Sequence, residues 1–91
     1  MLSYTDNMNQ VEYTRKAAKQ LRKLPQADSK AVRSECDKLA SMPNCSGVKA
    51  LVDHEHQYRL RVGNYRVFFN FDGAVRIVTI EEVKKRDERT Y

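Results

Sequence analysis

The sequence predicts an α+β protein: a strand and two helices, then a three-stranded antiparallel meander whose one face the helices cover. Three observations predict it. The stretch 58–83 holds three runs of strand-like alternation, separated by Gly63-Asn64 and by Asp72-Gly73. Ahead of it, two segments repeat small and apolar residues at helical spacing. Residues 11–14 (Val-Glu-Tyr-Thr) are short and β-prone. At 91 residues, 41% apolar and 32% charged, the chain describes a single globular domain with room for one modest core.

The elements follow in order. Residues 1–9 lack periodicity and read as a loose leader, with one domain over 10–91. Thr14 closes the first strand and doubles as an N-cap, because its hydroxyl can accept from a free amide of the following turn. After it, Ala17, Ala18, Leu21 and Leu24 share one helical face, and Arg15, Lys16, Lys19, Arg22 and Lys23 fill the other. This helix should stop near Leu24, since the residue before Pro25 is driven out of the α region. The second helix carries Asp28 and Ser29 near its start and Ala31, Val32, Cys36, Leu39 and Ala40 as its buried stripe. It ends at Met42-Pro43. Residues 43–47 form a loop by composition, 48–52 fit either a loop or a short extended segment, and 53–56 make a polar turn.

In the meander, the turns set the register. Gly63 at the first central position of a two-residue loop suits a type II′ turn, and Asp72-Gly73 suits type I′. Val62 then faces Tyr65, Arg61 faces Arg66, Leu60 faces Val67 and Arg59 faces Phe68. Across the second turn, Phe68 is expected to face Ile77 and Arg66 to face Thr79. One face gathers Tyr58, Leu60, Val62, Tyr65, Val67, Phe69, Phe71, Val78 and Ile80. The other shows Arg59, Arg61 and Arg66 with Phe68, Ile77 and Thr79. Like charges directly opposite each other destabilise a sheet by a few tenths to ~1 kcal/mol. Either a polyanion compensates them or the arginines splay into water.

The net charge of +5 fits nucleic acid, an anionic surface or an acidic protein as partner. No apolar run approaches the ~20 residues of a membrane span, and the polar opening is no secretory signal. Cys36 in a helix and Cys45 in a loop suggest reduced thiols rather than a disulfide framework. There is no glycine-rich phosphate loop, no Ser/His/Asp set and no CxxC pair. His54 and His56, the only histidines, have the spacing of acid/base or metal groups, but no further ligands accompany them and a polar turn explains them equally. Guanidinium groups at Arg59, Arg61 and Arg66 match phosphate geometry. Phe68 beside them is either packing or a stacking surface for an unstacked base. The charged run 84–91 is either a solvated tail or an extension of the basic face. There, surrounding cations would favour the Tyr91 phenolate as a base for a ribose 2′-hydroxyl.

Several segments together resemble the RelE/ParE superfamily of bacterial toxins, with the RelE branch most similar. They are Leu24-Pro25 closing the first helix, the run Ser46-Gly-Val-Lys-Ala-Leu51, Tyr58-Arg-Leu-Arg-Val-Gly-Asn-Tyr-Arg-Val67, and the terminal Glu82-Val-Lys-Lys-Arg-Asp-Glu-Arg-Thr-Tyr91. The resemblance spans 11–91 and implies the fold reached above. It also implies the toxin of a type II toxin–antitoxin pair, a cytoplasmic endoribonuclease that cleaves messenger RNA in the A site of the small ribosomal subunit. The implied partners are a cognate antitoxin, the ribosome and messenger RNA, with no membrane and no cofactor or metal. The family's cationic positions fall on Arg59, Arg61 and Arg66, the first two being arginines where the RelE branch carries lysines. Its late arginine falls on Lys85 or Arg86, and its late tyrosine on Tyr91. Arg61, Arg66, Arg86 and Tyr91 are then the catalytic set, with Arg59, Lys84, Lys85, Arg89 and Phe68 holding RNA. The first-helix face of Arg15, Lys19, Arg22 and Lys23 is either a contact for ribosomal RNA or simply solvated.

Two other functions fit the same sequence. A ParE-like toxin poisons DNA gyrase without nuclease activity, and such chains usually lack the arginine and tyrosine set. A non-catalytic nucleic-acid-binding module is the third reading.

Overall fold

The computed structural model describes residues 8–86. Strand β1 (Gln10–Tyr13) leads into α1 (Arg15–Arg22) and α2 (Gln26–Asp37). A 3₁₀ turn (Lys38–Ser41) follows, then β2 (Val48–Ala50), β3 (Tyr58–Val62), β4 (Tyr65–Asp72) and β5 (Ile77–Lys85). The strands form one five-stranded sheet in the order β1-β5-β4-β3-β2. The meander is present, but it is flanked. β1 adds parallel to β5, with Val11 beside Val78 and Tyr13 beside Ile80, and β2 adds antiparallel to β3. The ambiguous segment at 48–52 therefore supplies an edge strand.

Local chemistry explains the helix ends. The Thr14 Oγ1 accepts from the Ala17 amide at 3.1 Å and caps α1 as expected. α1 stops at Arg22 with Lys23 as its C-cap, two residues short of Leu24. α2 begins directly at Gln26 behind Pro25, without a side-chain cap. Asp28 lies in its first turn and instead accepts a 2.7 Å hydrogen bond from the Tyr65 hydroxyl. Of the expected stripe on α2, Val32, Cys36 and Leu39 are buried, Ala40 is half-buried and Ala31 is exposed. Part of the expected loose leader is anchored. Asn9 is buried, with its amide donating to Ala40 O at 2.8 Å and its Nδ2 to Met42 O at 2.9 Å. Residues 1–7 lie outside the described residues.

The core forms between the helices and one sheet face. Ala17, Leu21, Val32, Cys36 and Leu39 pack on Leu60, Val62, Tyr65, Val67, Phe69, Val78, Ile80 and Val83. The first hairpin has the expected register throughout, with Arg61 opposite Arg66. Gly63 takes φ +55 and is the left-handed residue of the turn, as type II′ requires.

The second hairpin differs. Asp72 pairs with Ile77, so the loop is the four residues 73–76 rather than Asp72-Gly73. The Asp72 carboxylate accepts from the amides of Ala74 (2.9 Å) and Val75 (3.4 Å), and Arg76 adopts φ +58. This side-chain capture opens a longer turn than the Asp-Gly pair alone suggests. The slip moves the partners by an even number of residues, so Val78 and Ile80 stay inside. A bulge then breaks the alternation: Phe69 pairs with Ile80 but Phe68 pairs with Glu82, leaving Glu81 as the extra residue. Phe68 therefore faces Glu82, not Ile77, and Arg66 faces Lys84, not Thr79.

Candidate nucleic-acid interface

The sheet face away from the helices carries the site, and the two registers arrange it in rows. One row is Arg61, Arg66 and Lys84 on β3, β4 and β5; the next is Arg59, Phe68 and Glu82. Three cations side by side on adjacent strands oppose one another. Arg59, Arg61 and Arg66 have no ion pair among the described residues, and the buried Nε atoms of Arg59 and Arg66 have no hydrogen-bond partner there. Arg61 is exposed and Arg66 half-buried. Two packed guanidinium stems thus hold charge at the surface without a carboxylate to neutralise it. Such an array offers bidentate donors to a phosphate.

The late cations reach the same end of the sheet. Lys84 and Lys85 close β5 and are exposed. The Arg86 amide donates to Asn64 O at 2.6 Å, which ties the departing chain to the hairpin tip that presents Arg61 and Arg66. Tyr91 and Arg89 lie outside the described residues. Arg15, Lys16, Lys19, Arg22 and Lys23 are all exposed on and just after α1. Lys16 alone among them turns toward the site, with its Nζ 3.5 Å from Glu82.

Glu82 is the residue that sequence reasoning missed. It is 7% exposed, among cations, because the bulge at Glu81 sends Val83 into the core and turns Glu82 outward. Its carboxylate meets His56 Nε2 at 3.3 Å, Lys16 at 3.5 Å and Lys84 at 3.5 Å. Burial pushes its pKa up, but the hydrogen bond with His56 and the Lys84 and Lys16 charges outweigh that and hold it below the ordinary carboxylate value. The paired acids Glu81-Glu82 just before Val83 were the available signal, since they break the period of two.

Above this carboxylate lies an aromatic group. Phe68, which the sequence left as either packing or a stacking surface, is only 9% exposed and is overlaid by His54, with ring centroids 5.0 Å apart and planes 13° apart. His56 packs at an angle against both rings. Glu55, His56 and Glu82 bring ligand atoms within 4.8 Å of one another, a spacing that suits a metal ion. The Lys16 and Lys84 ammonium groups beside Glu82 already neutralise it and oppose a divalent cation there.

Charge changes along the face. A concavity of about 820 Å³ at its other end is lined by Glu12, Glu55, Asp72, Gln57, Asn70 and Thr79. Its carboxylates repel phosphate, so only the hairpin end suits a polyanion. Among the described residues no helix is long and apolar enough to cross a membrane.

Known proteins match both chain and fold. The model of a family described as the ParE toxin of the parDE type II toxin–antitoxin system matches residues 11–90. No curated protein matches the chain. Among solved structures, the RelBE2 toxin–antitoxin complex of Mycobacterium tuberculosis contains a chain 28% identical to this one. The match covers 87% of this chain and 99% of that one, with a TM-score of 0.76. The archaeal RelE–RelB complex of Pyrococcus horikoshii OT3 matches at 24% identity, over 89% and 98% of the two chains, with a TM-score of 0.75. The isolated RelE toxin of E. coli, 15% identical over 90% and 88%, shares the fold at a TM-score of 0.75. The chain therefore belongs to the family of ParE toxins of type II toxin–antitoxin systems, within the RelE/ParE superfamily.

Proposed function

We propose that this toxin is an endoribonuclease that cleaves messenger RNA in the ribosomal A site and so arrests translation. The row of Arg61, Arg66 and Lys84, three adjacent cations of which the two arginines have no ion pair among the described residues, carries the reading. Lys84 alone has a neighbouring acid, Glu82 at 3.5 Å. The Tyr91 phenolate takes the proton of a ribose 2′-hydroxyl as its oxygen attacks the adjacent phosphorus. The bond from phosphorus to the next nucleotide's 5′-oxygen breaks, a 2′,3′-cyclic phosphate is left, and the departing 5′-oxygen takes a proton from water. Arg61 and Arg66 hold the phosphate, and Arg66 with Arg86 or Lys85 stabilises the added negative charge of the transition state. Arg59, Lys84 and Arg89 hold the flanking backbone. Arg15, Lys19, Arg22 and Lys23 on the first helix meet ribosomal RNA, and no cofactor is needed. The partner that silences the toxin is an antitoxin that covers the basic face, in keeping with the RelB chains bound in the structural relatives.

The second reading, a gyrase poison, is favoured by the family model itself, which is that of ParE toxins. One experiment separates them. Purified toxin added to ribosomes programmed with messenger RNA is expected to give discrete cuts, and Arg66→Ala to slow them by ~100-fold or more, a usual loss for one transition-state donor. Uncut messages together with gyrase-linked DNA breaks would establish the gyrase reading instead.

A further inference from the structure

We propose that His54 is the shelf on which this toxin stacks an unpaired RNA base. The inference rests on the nucleic-acid reading of the arginine face. Three observations carry it. His54 is an exposed residue, whereas Phe68 beneath its ring is buried, so the imidazole is the aromatic group on the ligand side of the pair. The ring is held from two sides. It lies nearly parallel on Phe68, and its Nδ1 accepts the His56 backbone N–H at 3.0 Å, which leaves the ring proton on Nε2. Asp53, at φ +56, makes the left-handed step just before the ring.

A side chain fixed in this way loses little freedom when a base settles on it. Every base has a π-face, so the shelf accepts any base without reading its edges. Its position suits one nucleotide. Phe68 lies two residues from Arg66 along β4, a separation of roughly 7 Å, and Arg59 is its cross-strand partner. A phosphate held in the row of Arg61, Arg66 and Lys84 therefore leaves its own or the neighbouring base within reach of His54. The shelf supplies grip and orientation, not proton transfer.

The test uses a short single-stranded RNA carrying 2-aminopurine, whose fluorescence falls on stacking, and the same strand with an abasic site at that position. The full-length toxin is expected to quench the fluorophore and to bind it about tenfold more tightly than the abasic strand. His54→Ala and His54→Leu should lose both effects, while His54→Phe should keep them. The alanine and leucine variants retaining quenching and preference would overturn the shelf. If Arg61→Ala weakens both strands while His54→Ala changes neither, the shelf fails and the nucleic-acid reading stands. If the unaltered toxin binds neither strand, both fail together.

Discussion

Cys36 shows at the residue scale how burial sets chemistry. Its thiol is buried in α2 beneath the sheet, and burial raises its pKa from 9.0 to about 11. Tyr13, near it, is raised as well, chiefly by its own burial. A folded-state pKa above the unfolded one means the native protein binds the proton more tightly, so stability falls as pH rises through that window. Unfolding midpoints measured from pH 8 to 11 should therefore drop steeply above about pH 9. Cys36→Ala should flatten the first part of the drop, leaving the Tyr13 contribution; an unchanged slope would mean that the thiol is not the titrating group. Glu82 follows the opposite logic, a carboxylate kept charged by three cationic or hydrogen-bonding neighbours. Lys84 stands two residues along the same strand, but nothing in the immediate sequence announces His56 and Lys16, which arrive from other elements.

Single groups steer the chain at the scale of elements. The Thr14 hydroxyl caps α1 and also lies 3.3 Å from Glu81 O, which joins helix start to strand β5. Thr14→Ala should cost about 1 kcal/mol of stability, the usual size for a lost N-cap, and Thr14→Ser should restore most of it. Chemical denaturation of the three proteins would check the order. Both hairpins were legible as hairpins, but only the first in register. Gly63 supplies its left-handed step with no competing local bond, whereas Asp72 has a carboxylate that captures two following amides and lengthens the turn. The bulge at Glu81 was visible only as an interrupted alternation. What it positions, Glu82 in a nest of cations, depended on strands that the pattern alone does not bring together.

The whole molecule is a two-layer protein whose stability is concentrated in one core. Phe69 sits at its centre, fully buried on β4 and stacked with Tyr58 at 5.4 Å between ring centroids. Phe69→Ala should cost about 3–5 kcal/mol, a large share of the roughly 5–15 kcal/mol that hold a native domain together. A fall in the urea midpoint of that size checks it, and a shift under about 1 kcal/mol would show that the core reorganises freely. The two faces of the sheet divide the labour: the apolar face fixes the fold against α1 and α2, while the other carries uncompensated charge.

Sequence alone determined the layer order, the helix cap, the inward face of the meander and the placing of Arg61 against Arg66. All of these rest on local geometry, the period of two along strands and the two-residue turn between them. Only the tertiary structure decided that β1 joins β5 in parallel, that Glu82 and His56 meet, and that His54 lies over Phe68. Those pairings join residues distant along the chain, and no local spacing encodes them. They depend on how the sheet closes against its helices and on a one-residue bulge that turns a carboxylate toward the arginines.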